Sequence, residues 1–217
     1  MVWWQVQLER ELVGRLPIGS SSHVTGSATD PDQSDGWSDL DLHLDLGDAV
    51  EVVDVLAGLP VWAVSEVEDA GRQVLRVVLV DGRRIDLVVK RGRVQVPVRA
   101  ADNEFRMVAA LAASKLGRGD HLIGLHLTLE LMRSCLVQAM VLRDRAVGTT
   151  VHRFGSAEDA MAEEVIALLG SPIAVHPRPN VVERIAELYG RWRRQLEPDY
   201  TPDWSGLHAL LDRGLSQ

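Results

Sequence analysis

Ten residues constrain this chain more than any others: Trp37-Ser38-Asp39-Leu40-Asp41-Leu42-His43-Leu44-Asp45-Leu46. Polar and leucine side chains alternate there without a break, the period of a β-strand with one wet and one buried face. Asp39 and Asp41 then stand side by side, with His43 and Asp45 further along the same face and the four leucines turned into a core. Adjacent carboxylates repel each other and raise each other's pKa unless a positive charge lies between them. A divalent cation is the usual reason for building such a pair, and hard oxygen ligands favour Mg²⁺ or Ca²⁺. Taken alone, however, the pair reads equally as the solvated face of an amphipathic strand.

Two further features act on that balance. Upstream, Val24-Thr25-Gly26-Ser27 runs into a loop of turn residues. Gly26 lets the backbone turn sharply and approach a ligand, and Ser27 adds a hydroxyl and backbone N–H groups suited to phosphate. Downstream, Asp81-Gly82 is a tight-turn signal that joins Gln73–Val80 to Arg84–Val89 as a hairpin. Asp86 lies on the second strand, opposite in facing to Ile85, Leu87 and Val89. If that strand neighbours the first, Asp86 completes a trio with Asp39 and Asp41, as ligand of a second metal or as a base. Two Mg²⁺ ions bridging a nucleotide's phosphates can stabilise both the attacking and the leaving oxygen of a displacement at phosphorus. An ion pair of Asp86 with Arg84 or Arg76 is the plainer alternative.

The remaining segments divide in character. Trp3–Gly14 reads as a helix, His23–Thr25 as a short strand, Asp48–Leu56 as a capped helix and Val61–Val67 as a strand. After about Asp102 the pattern is helical: Asn103–Leu116, His121–Arg145, Ala157–Leu169 and Val181–Leu196. Within the second of these, Leu122, Leu125, Leu129, Leu136 and Met140 form an apolar stripe of the kind a bundle helix turns to its core. The predicted class is α+β: a mixed β-sheet domain over residues 1–98, then a helical domain over 99–217 for substrate binding or dimerisation.

The 217 residues carry 46% hydrophobic and 25% charged side chains, an ordinary soluble composition, and no apolar run approaches the length of a membrane span. The start of the chain lacks the basic residues and apolar core of a signal peptide, and a single cysteine, Cys135, suits a reducing cytoplasm. A net charge of −8 argues against a general nucleic-acid binder and suits a metal or a cationic small substrate.

The order Gly26-Ser27, loop, Asp35-Gly36-Trp37-Ser38-Asp39-Leu40-Asp41-Leu42, then Asp86 on a strand, resembles the polymerase-β-like nucleotidyltransferase superfamily. The likeness is closest to the aminoglycoside and lincosamide nucleotidyltransferases. Glu104-Phe105 and Lys115-Leu116-Gly117-Arg118-Gly119-Asp120, followed by a leucine-rich helix, are similar to the helical domain of those enzymes, and the resemblance extends to about Gly155. It implies Mg²⁺-dependent transfer of a nucleoside monophosphate, AMP from ATP, to a hydroxyl of a small and cationic acceptor, with release of pyrophosphate. It further implies that Lys115 reaches the triphosphate and that two copies share a dimer. The general base stays open between Asp86 and the helical-domain acids Glu104, Asp120 and Glu130.

Two other classes compete: a nucleotidyltransferase acting on a protein or RNA partner, as in toxin systems, and a silent nucleotide-binding scaffold. Arg145 and His152 resemble the motif of helical toxin RNases, but Gly148-Thr149-Thr150 interrupts the helix between them.

Overall fold

Within the alternating decapeptide, Leu40–Asp45 form a strand of a five-stranded sheet, and Trp37–Asp39 lie in the turn before it. The computed structural model describes residues 3–29, 34–48, 51–148, 155, 157–169 and 180–216. Helix α1 (Trp3–Val13) precedes β1 (Ser21–Thr25), a 3₁₀ turn at Gly26–Thr29 and β2 (Leu40–Asp45). There follow β3 (Val52–Val53), β4 (Val61–Asp69), β5 (Arg72–Leu79), β6 (Arg84–Lys90) and β7 (Arg93–Val94). The helices α2 (Asn103–Gly117), α3 (His121–Val147), α4 (Met161–Leu169), α5 (Asn180–Leu196) and α6 (Ser205–Leu215) complete the chain. The class is α+β, a mixed sheet followed by helices.

The sheet order is β1-β2-β6-β5-β4, with β2 parallel to β6 and the other neighbours antiparallel. Every second residue of β2 is buried, the leucines, and every second one is half-exposed, Asp41, His43 and Asp45. Leu40, Leu42, Leu44 and Leu46 join Ile85, Leu87 and Val89 and the α1 residues Leu8 and Leu12 in one apolar cluster. Burying each such side chain is worth about 1.5–3 kcal/mol, so a one-residue slip of β2, which would expose all four leucines, is strongly disfavoured.

A second cluster gathers α2, α3, α5 and α6 and reaches the sheet through Trp62, Ala63 and Val78. Asn103 closes the outer edge of β4 by accepting from the Val64 N–H (2.9 Å) and donating to the Val64 carbonyl (2.8 Å). Trp37 is wedged where a methyl group on either Gly117 of α2 or Gly214 of α6 would overlap its ring. The turn before β2 is thereby pinned to two helices.

Three expectations need correction, and one helix was not foreseen. Residues 51–56 form no helix: Val52 and Val53 pair in parallel with Arg93 and Val94, as two successive β-branched residues favour. Helix α6 had no expectation, although Leu207, Leu210 and Leu211 recur at helical spacing. The stripe Leu122, Leu125, Leu129, Leu136 and Met140 faces solvent, and α3 packs instead through Gly124, Thr128, Leu131, Met132, Cys135 and Ala139. Small residues let the backbones of neighbouring helices come close, and that outweighed the bulk of the leucines. Finally, α3 holds an 18-residue window of mean hydropathy 1.3, 33% of it buried. By length and composition it is long and apolar enough to cross a membrane, a property that a core helix of a soluble protein can share. His152 lies outside the described residues; Arg145 donates to the Leu196 carbonyl at 2.8 Å.

Candidate metal centre

Register brings the carboxylates together. In the β2–β6 pair Asp41 stands directly opposite Asp86, and Asp39 immediately precedes β2. One carboxylate oxygen from each of Asp39, Asp41 and Asp86 lies within 4.8 Å of the other two, and all three side chains are half-buried. Among the described residues this is the single group of three or more such ligands.

Backbone and helices hold the three in place. The buried Gln5 of α1 donates to the Asp39 carbonyl at 2.6 Å. Asp35 organises the preceding turn: its carboxylate accepts from the Trp37 N–H (3.0 Å) and the Ser38 hydroxyl (2.9 Å). Gly26 has φ +67°, and a methyl group there would overlap the Asp41 carboxylate. Glycine thus serves twice, for the left-handed backbone and for the close approach. Ser27 follows within the 3₁₀ turn, half-exposed, and the Thr29 hydroxyl closes that turn on the Gly26 carbonyl at 2.8 Å. Replacing Gly26 by alanine is expected to push Asp41 out of the trio and weaken Mn²⁺ binding at least about tenfold, measured by calorimetry, while circular dichroism stays that of a folded protein.

Charge at the centre is unbalanced. Burial, then the charge of Asp39, raises the Asp86 carboxyl to about 6, against the opposing pull of Arg84 and Arg76 and with a further push from Asp41. Asp41 is likewise raised, by burial and then by Asp39, while Arg84 and Arg118 oppose. Arg84 is 7% exposed and donates to Asp39 Oδ2 at 2.6 Å and to the Trp37 carbonyl at 3.1 Å. Its Nε is buried without a hydrogen-bond partner. Arg76 sits 3.5 Å from Asp86. Of the guanidinium groups acting on the three carboxylates, Arg84 makes the close contact, with Asp39, and Arg76 stands further off from Asp86.

This donor set fits a hard divalent cation. Three oxygen-bearing groups converge, two of them disfavour ionisation in the cation's absence, and one neighbouring glycine cannot be enlarged. Asp39, Asp41 and Asp86 would hold the ion, with charge neutralisation as its first effect.

The other expected residues make contacts of their own. Lys115 is ion-paired with Asp120 at 3.1 Å. Glu104 sits at the opposite end of α2 from the site, where it lines a cavity of about 590 Å³ with Asn103, Arg133 and Gln138. Glu130 is exposed on α3. His43 stacks on His23 of β1 with ring centroids 4.7 Å apart, and Asp45 is held by Arg91 at 2.8 Å. Two functional candidates escaped the sequence reading. Arg84 was foreseen as a partner for Asp86 and instead grips Asp39. Arg118, read as part of a turn, reaches from the end of α2 to Asp35 (3.1 Å) and the Ser38 hydroxyl (2.9 Å). An arginine two residues before the third aspartate was the available signal for Arg84; Arg118 left none.

No family model matches this sequence, and no curated protein does. Among solved structures, the polymerase core of TRAMP, an RNA surveillance complex, aligns at 17% identity with a TM-score of 0.27. The alignment covers 85% of this chain and 55% of that one, so the chain spans little more than half of that protein's length. A likeness at this level carries no argument about activity.

Proposed function

We propose that the chain is a metal-dependent nucleotidyltransferase that moves a nucleoside monophosphate, AMP from ATP, to a hydroxyl of a small acceptor. The observation that carries this reading is the convergence of Asp39, Asp41 and Asp86 within 4.8 Å on two parallel neighbouring strands. Asp39 and Asp41 would hold Mg²⁺, and Asp86 would serve as a further ligand or as the base. Bound there, Mg²⁺ supplies Lewis-acid neutralisation of charge on the phosphates.

The protein's own groups do the rest. Ser27 and the N–H groups of the Gly26–Thr29 turn orient the triphosphate, and Lys115 or Arg118 at the end of α2 adds positive charge. The acceptor oxygen attacks the α-phosphorus, and the bond from that phosphorus to the bridging oxygen breaks. Pyrophosphate leaves, and the acceptor's proton passes to Asp86 where that carboxylate serves as the base. Residues 1–98 form the transferring domain and 99–217 the domain that covers the acceptor. An acidic cleft suits a cationic acceptor such as an aminoglycoside; a lincosamide or another hydroxylated metabolite fits the same chemistry.

The test is transfer of label from nucleoside triphosphates labelled at the α-phosphate, with Mg²⁺ or Mn²⁺, against a panel of hydroxylated small molecules and against total protein and RNA. Label on a small molecule, lost in Asp39→Asn, supports the reading. Label on a macromolecule moves the acceptor class. No Asp39-dependent transfer from any nucleotide overturns it.

A further inference from the structure

The sheet face that carries the trio continues past it. One side-chain step beyond Asp41 and Asp86, about 7 Å along the strands, His23, His43, Val88, Val74 and Val67 form a row across all five strands. His23 and Val67 are exposed, and the three between them are half-buried. The helical cluster meets the sheet through Trp62, Ala63 and Val78, and Val78 stands opposite Arg84 at the Asp39 end. Helix α1 packs with the leucines on the other face. The row is thus left open. The His23 and His43 rings stand face to face, with centroids 4.7 Å apart and planes at 25°, which is the spacing of neighbouring strands. The second face of His43 therefore looks toward β6, where the shorter Val88 stands opposite it. The result is a shelf, with Val88 and Val74 as its floor and the His43 ring as its wall.

In-line displacement fixes the side from which an acceptor comes. The Gly26–Thr29 turn follows Thr25, which stands opposite Asp41, so the turn lies toward Asp39. Arg118 bonds to Asp35 and Ser38, just before Asp39. The groups assigned to the triphosphate are thus on the Asp39 side, and an oxygen attacking in line with the departing pyrophosphate arrives from the His43 side. We propose, on the strength of the nucleotidyl-transfer reading, that the acceptor lies on this shelf and is a hydroxylated molecule of at most one positive charge, its apolar face on Val88 and Val74 and a ring or flat group against His43. The row holds no carboxylate. In the next row Asp45 is bonded by Arg91 at 2.8 Å and Asp69 by Arg72 at 2.7 Å, and Lys90 is exposed. A polycation would meet a like charge and paired carboxylates there, while the trio's own charge is taken up by the metal. An apolar surface instead gains by covering the valines, and a ring gains by stacking on the imidazole.

The experiment offers the full chain ATP labelled at the α-phosphate, Mg²⁺ and three kinds of acceptor. Chloramphenicol, lincomycin and erythromycin carry a single amine or none; kanamycin and neomycin are polycations; oligoadenylate is a polyanion with free hydroxyls. Label is expected on at least one of the first three and on none of the others. Val88→Asn and His43→Ala, both at half-buried positions, should each raise KM for that acceptor about tenfold with a smaller change in kcat. Calorimetric binding of Mn²⁺ with a non-hydrolysable ATP analogue should stay at the wild-type value in both variants, which also shows that they fold. Label on kanamycin, neomycin or oligoadenylate, or transfer indifferent to both substitutions, would overturn the proposal. So would a lack of label on every acceptor while the nucleotide still binds through the trio, a result that leaves the metal–nucleotide centre standing. Absence of nucleotide binding in the wild type would remove that centre, and the shelf's role with it.

Discussion

Asp86→Asn is expected to abolish metal-dependent transfer and, in the same protein, to raise the melting temperature of the metal-free form at neutral pH. The loss of activity should be about a thousandfold or more, since a bound cation's stabilisation of developing phosphate charge is worth several kcal/mol. The gain in stability follows from linkage. Asp86 holds its proton up to about 6 in the folded chain, against an ordinary value of 3.8. A carboxyl raised in this way stabilises the fold fully below pH ~4, and that contribution disappears as the pH rises through ~6. Above that, the ionised group works against folding. About a third of the side chain meets solvent, at 31% exposure, so the cost is discounted to about 1–2 kcal/mol, or about 3–6 °C in a chain of this size. Melting curves in EDTA from pH 4.5 to 7.5 provide the check. The gap between Asp86→Asn and wild type should open between pH ~4 and ~6, and Mg²⁺ should close it from the wild-type side.

Arg84→Met is expected to do the reverse to stability. Arg84 is the buried cation of the centre, and its removal leaves Asp39 without its 2.6 Å partner and the Trp37 carbonyl without its donor. Removing one member of a fully buried pair costs about 3–5 kcal/mol; with Asp39 18% exposed, about 2–3 kcal/mol is expected here, or about 5–10 °C. Arg84→Lys should recover part of the loss, because charge returns without the fork that reaches both oxygens. Millimolar Mg²⁺ should rescue the methionine variant by more degrees than wild type, since the ion then supplies the only close positive charge. Equal stability of wild type and Arg84→Met in EDTA would show that the pair is ornamental.

These two variants separate what the sequence could and could not convey. The period of Leu40–Leu46 is a local property, so the strand, its buried face and the pairing of Asp39 with Asp41 were all legible. The hairpin at Asp81-Gly82 and the facing of Asp86 were legible for the same reason. That β2 and β6 lie side by side in parallel was not legible, because periodicity says nothing about strand order. Arg84's choice of Asp39 over Asp86 was not legible, because no spacing encodes which carboxylate a side chain reaches. Arg118 was invisible because its role rests on where Trp37 wedges between Gly117 and Gly214, a contact of residues far apart in the chain. Helix α3 misled for a different reason. It is apolar on nearly all sides, so a hydrophobic stripe could be found on the wrong one, and the small residues Gly124, Thr128, Cys135 and Ala139 decided the matter. The burial of Cys135, which pushes its thiol up to about 12, matches its reading as a small core residue with no reactive role.

The most direct test of the central claim is calorimetric titration of Mn²⁺ with a non-hydrolysable ATP analogue into the wild type and into Asp39→Asn, Asp41→Asn and Asp86→Asn. Stoichiometric binding to the wild type, lost or weakened at least about tenfold in each variant while all four proteins remain folded, is the predicted result. Binding that survives all three substitutions unchanged would contradict the assignment of a metal–nucleotide centre to Asp39, Asp41 and Asp86.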